Sequence, residues 1–235
     1  MQSSKLRKES RIQRSTRRSL DGLVVNIELT LVSIIQGVAL SILTDSAHGP
    51  IGDLHYGQWP YIASGLIIIM LFWSRSITHT LTLIRWPLEF RHNFLYITCT
   101  FIEGITFTKL GDPFQWFMLN GVFAAAVWTL FVADLRLIRQ RQAEAVGLAE
   151  NELYHLVLRD QKMNIGWLVP GFGLFHFAAA YCIYRWPEQF IHRGMHEFLA
   201  VFQTAGLLGY LVYVGRFFRA VAPDILAANQ EESSE

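Results

Sequence analysis

Charge is scarce in this chain. Of 235 residues, 17% are Asp, Glu, Lys or Arg, against roughly 25% in soluble domains. Cysteine is nearly absent: Cys99 and Cys182 are the two, both inside apolar blocks. Two such thiols exclude a disulfide framework and have no zinc-ligand spacing, so they read as small buried side chains. Missing too are a Walker A loop, GxGxxG, CxxC and GxSxG. Their absence removes the motif-borne grounds for nucleotide, dinucleotide, thiol-redox or serine-hydrolase chemistry. The basic stretch "KLRKESRIQRSTRR" has no nucleic-acid-binding fold around it, so nucleic acid is not an expected partner. Beside an apolar run it reads as a topology signal touching anionic lipid.

What the chain does have is apolar sequence in long blocks. Hydrophobic residues make up 52% and aromatics 14%. A helix crossing a hydrocarbon core needs about 20 residues. Six blocks approach that length: Gly22–Leu43, Pro60–Leu81, Asn93–Leu110, Phe114–Leu135, Ile165–Trp186 and Glu197–Phe218. They are too long and too evenly apolar for barrel strands. The first block is longer than a signal-peptide core and has no small-x-small cleavage site after it, so it reads as a retained span. The fold class expected is all-α, a polytopic bundle of six transmembrane helices.

Basic residues set the orientation. Seventeen of the twenty Lys and Arg lie in the N-terminal segment, the loops after the second and fourth blocks, and the tail; Lys109, Arg185 and Arg193 lie on the other side. The positive-inside rule then predicts both termini in the cytoplasm, and the expected location is the cell (inner) membrane. Residues 1–20 read as a basic cytoplasmic segment, 21–220 as the membrane domain, and 221–235 as a polar, disordered tail. Short outer loops, such as "GDP", predict three antiparallel hairpins. The even-numbered blocks share an early glycine and a late aromatic, in "IASGLIIIMLFW", "MLNGVFAAAVW" and "AGLLGYLVYVGRF". That pattern fits a degenerate repeat or ordinary membrane composition. Over 134–162, covering the cytoplasmic segment 136–162, apolar residues at three–four spacing (Leu135, Ile138, Val146, Ala149, Leu153, Leu156) predict a helix. It would serve as a linker or as a seam with a second copy, and the bundle itself could also form a homo-oligomer.

Polar residues at depth carry the functional expectation. At ~1.5 Å per residue, Gln36, Glu103 and His176 fall near the middle of the first, third and fifth blocks. Such groups are costly in lipid and face a partner or a water-filled cavity. Three readings follow. The first is a channel or transporter for a small cation or proton, lined by this trio. The second is an interaction or sensor protein in which the trio only clasps helices. The third is an intramembrane metalloenzyme using zinc, because His192 and His196 in "HRGMHE" would share one helical face. No other cofactor is evident, and an enzyme is the less favoured class. Secondary candidates are Glu28, Arg75 and Asp134 near inner ends, where Glu28–Arg75 or Asp134–Arg75 would pair, and Asn120 and Gln203 in outer halves.

In length, span count and the aromatic inner half of its second block, "LFWSRSITH", the chain is similar to the small prokaryotic six-helix potassium channels. The Phe-Ser-Asp of that family's first helix is absent; this chain reads "NIELTLVSIIQGVAL" there. The resemblance therefore implies architecture and assigns no residue a role.

Overall fold

The computed structural model describes the backbone of residues 2–83, 90–144 and 148–234, and the side chains of 19–82, 90–144 and 151–227. Among the described residues there are seven α-helices and no strand. They are α1 (Gln2–Gly52), α2 (Trp59–Leu83), α3 (Phe90–Phe107), α4 (Pro113–Glu144), α5 (Leu148–Met163), α6 (Val169–Arg185) and α7 (Met195–Ser234). A 3-10 turn, Tyr56–Gln58, leads into α2; single π turns, Asn164–Leu168 and Glu188–His192, precede α6 and α7.

Five segments are long and apolar enough to cross a membrane: Ser19–Gly52, Tyr56–Thr82, Pro113–Glu144, Asn151–Arg185 and Met195–Ala227. Within the most apolar stretch of the last, only 22% of residues are buried. The apolar surface therefore faces outward, the reverse of a water-soluble bundle. On α1 the buried stripe is narrow (Val24, Glu28, Val32, Gln36, Ala39, Leu43), while Leu23, Ile27, Ile34 and Val38 are exposed. α3, the core of the expected third span, does not belong to this set. It is short and carries Arg91, His92, Asn93 and Glu103. Its pattern is inverted: His92, Thr100, Glu103 and Thr106 are buried, whereas Phe94, Ile97, Phe101 and Ile105 are exposed.

α1 packs on α2 and α3, α3 on α4, α4 on α6, and α2 on α7; α5 packs against α4 and α7. The first two expected hairpins are thus adjacent pairs, but the third is open. α6 and α7 are bridged by aromatic side chains, such as Phe175 and Phe202 with ring centroids 5.4 Å apart, rather than packed along their length. The connection between them, Trp186 to Gly194, is long enough to let each helix pack on a different partner.

α5 and α6 form one rod through the π turn, so the helix expected to begin at Ile165 starts in the preceding segment. Pro170 has no N–H to close the ladder onto Ile165. The Ile165 carbonyl instead accepts the Trp128 indole N–H at 3.0 Å, and Asn164 Nδ2 donates back to the Asp160 carbonyl at 2.8 Å. α5 packs through Leu153, Tyr154 and Val157 against Leu137, Ile138 and Val221. Of the expected stripe, Ile138 and Leu153 are buried in this contact and Leu156 packs against it; Val146 and the side chain of Ala149 lie outside the described residues. α7 stays helical through Ser234, where an unstructured tail from 221 was expected.

Candidate functional site

Three polar arrangements are buried in the bundle. The first is a layer at the α5 end. Arg75 of α2 donates through Nη2 to Asp160 Oδ2 at 2.6 Å, both side chains being 3% exposed. Asp160 Oδ1 accepts the Tyr213 hydroxyl at 2.7 Å. One turn earlier on α7, the Tyr210 hydroxyl donates to Asn164 Oδ1 at 2.6 Å. The Phe131 and Phe217 rings lie 5.4 and 5.7 Å from the guanidinium carbon, so aromatic faces stand where water would otherwise solvate the cation. Next to it, Asp134 accepts from two imidazoles, His79 Nδ1 at 3.0 Å and His92 Nδ1 at 2.9 Å. The pairings expected for Arg75 are therefore not made. Asp134 spends both oxygens on histidines, and Glu28 accepts from Asn93 Nδ2 at 2.6 Å. Asp160, Asn164, Tyr210 and Tyr213 were not singled out from sequence. The available signal was Asp160 and Asn164 four apart on one face, just before an apolar block.

The second arrangement lies between α1 and α3. Gln36 Nε2 approaches Tyr96 Oη at 3.2 Å, Glu103 Oε2 at 3.4 Å and Thr100 Oγ1 at 3.5 Å. These are long contacts for hydrogen bonds. Gln36 Oε1 and Glu103 Oε1 have no partner among the described residues, although both side chains are buried. Gly104, next in sequence to the acid, lets α1 come close: a Cβ there would lie 3.1 Å from Ile42 Cδ1. Gln36 and Glu103 thus meet as the matching depths predict, but His176 does not join them. No hydrogen bond links His176 to either residue, and it faces a different space.

That space is the third arrangement, a cavity of about 610 Å3 among α2, α4, α6 and α7. It lies in the size range of small-molecule sites. It exists because the third hairpin is open. Along α7 it runs from Gln203 to Tyr213, roughly 15 Å at the helical rise. Its walls are apolar, with Ile68, Phe72, Phe123, Val127 and Leu207 among them. Its rim holds Trp167, 81% exposed, and Phe202, 66% exposed, so it opens sideways between α6 and α7. Arg75, Tyr210 and Tyr213 line it toward the α5 end; Asn120, His176 and Gln203 line it toward the other. Gln203 Oε1 accepts the Trp116 indole N–H at 3.0 Å, and Asn120 Nδ2 donates to the Trp116 carbonyl at 2.9 Å.

The outer histidines are not arranged as expected. His192 ends the second π turn, and Gly194 follows with φ of 71°, a left-handed conformation that breaks the helix. His196 belongs to the next helix, and its Nδ1 lies 2.7 Å from the Tyr61 hydroxyl. The two imidazoles therefore do not share one helical face. Among the described residues no group of three or more His, Cys, Asp or Glu is placed to hold a metal ion. Compared with models of known families, with curated proteins and with solved structures, the chain matches none.

Proposed function

We propose that this chain is an integral membrane protein of the cell membrane, crossing six times with both termini in the cytoplasm, and that it binds a small apolar or amphiphilic molecule drawn from the bilayer. The observation that carries the binding is the cavity: about 610 Å3, apolar walls, polar groups at both ends and a sideways mouth between α6 and α7. An opening on the membrane side admits molecules that partition into lipid and excludes hydrated ions. The sixth crossing is α3, whose buried polar and exposed apolar faces suit a helix set among other helices with lipid outside.

The test uses Gly209 at the rim, where an added Cβ would meet nothing within 4 Å. The purified protein is extracted with solvent and the released apolar molecules are identified by mass spectrometry. The expected result is a bound molecule near one per chain, lost in Gly209→Trp at unchanged folding and thermal stability. Equal recovery from wild type and variant would remove this reading.

A second reading, conduction of a proton or small cation, is favoured by one observation: the unpartnered Oε1 atoms of Gln36 and Glu103. Two buried acceptors call for a proton on the acid or a cation beside it. On this reading His176 takes no part. Flux in liposomes that falls in Glu103→Gln would support it, and unchanged flux would leave a helix clasp.

A further inference from the structure

We infer that the cavity recognises its occupant by a hydroxyl group, held between His176 and Gln203. The inference rests on the cavity being a ligand site and names the chemistry that site selects.

Two residues that line the cavity each carry a buried polar atom with no partner among the described residues, His176 Nε2 and Gln203 Nε2. Their hydrogen-bonding roles are fixed by neighbours. His176 Nδ1 lies 2.7 Å from the Phe172 carbonyl, which can only accept. Nδ1 therefore carries the proton, and in the neutral ring Nε2 is an acceptor. Gln203 Oε1 lies 3.0 Å from Trp116 Nε1, which can only donate. Its other end is therefore the NH2 group, a donor. The residues lining the cavity thus hold an unmet acceptor and an unmet donor.

Contacts of their neighbours link the two. Trp116 holds Gln203, and the next residue, Phe117, has its ring 5.9 Å from that of His176. Phe175 and Phe202, the neighbours of His176 and Gln203 in sequence, meet at 5.4 Å. Both side chains are about 1% exposed, so leaving them unpaired is costly. A hydroxyl donates once and accepts, which satisfies both. A carbonyl or ether oxygen satisfies only the glutamine, and an alkane neither. The aromatic rings of Phe172, Phe175 and Phe117 around the histidine leave the rest of the ligand an apolar environment. The ligand class is therefore an apolar alcohol, with its body along the cavity toward the rim.

The experiment compares three probes of equal length, 1-dodecanol, its methyl ether and dodecane. Each competes with an 11-bromoundecanol quencher of tryptophan fluorescence, with the protein in lipid nanodiscs. The alcohol should bind about tenfold more tightly than the ether, and the ether more tightly than the alkane. Gln203→Glu keeps the Trp116 contact but replaces the donor with an acceptor; it should lose the preference for ether over alkane. His176→Phe should bring alcohol and ether to equal affinity. Three probes that bind alike, all blocked by Gly209→Trp, would overturn the hydroxyl proposal and leave the cavity reading standing. Probes that compete no better with wild type than with Gly209→Trp would overturn both.

Discussion

Asp160 is the residue on which the α5 end depends. Its two oxygens serve Arg75 and Tyr213, and Arg75 has no other acceptor among the described residues. Replacing one partner of a buried ion pair strands the other charge, at a cost of about 3–5 kcal/mol. Asp160→Asn should therefore lower unfolding stability in detergent micelles by about that much. The double change Arg75→Met with Asp160→Leu should recover most of the loss, because no charge remains buried. Sequence reading found Arg75 and Asp134 by their chemistry inside or beside apolar blocks, yet matched neither to its partner. Arg75 and Asp160 lie 85 positions apart, and depth along a helix says nothing about which face points at which neighbour. Gln36 and Glu103 were the fortunate case: equal depth and adjacent helices sufficed.

α6 is the element that makes the cavity, and its own composition hides this. Its apolar residues satisfy a span from any side, so the sequence could not show that α6 would leave α7 for α4. The assumption that consecutive helices pair held for α1 with α2 and for α3 with α4, where the connections are tight or the faces match. It failed where a π turn, Pro187 and Gly194 separate the last two. Leu174 on the outward face of α6 is 72% exposed. In water, Leu174→Asp would change stability by less than about 0.5 kcal/mol. In lipid it should cost about 2.5–3.5 kcal/mol near the helix centre. Membrane-integrated yield of the variant, measured against Leu174→Ala, distinguishes the two solvents.

At the scale of the whole molecule, the helical class and the five segments long and apolar enough to cross a membrane were legible from block length, since hydrocarbon thickness sets a length that composition can be read against. The orientation proposed, with both termini in the cytoplasm, rests on the seventeen basic residues of the N-terminal segment, the loops after the second and fourth blocks, and the tail. Cysteines introduced singly at Ser3 and Ser46, in a chain with Cys99 and Cys182 replaced by alanine, report it. A membrane-impermeant thiol reagent added outside intact cells should label position 46 and spare position 3.

α3 has a consequence for how the protein is made. Its buried face, with His92 and Glu103, leaves it outside the set of helices apolar enough to cross a membrane by composition alone. Five residues separate its last turn from Pro113, so α4 follows α3 closely out of the ribosome. On the six-crossing reading, α3 enters the membrane as a passenger of α4. It waits at the translocon until α4 arrives to shield its polar side. A chain stopped before α4 should therefore leave α3 outside the bilayer, readable by a glycosylation tag placed after Phe107.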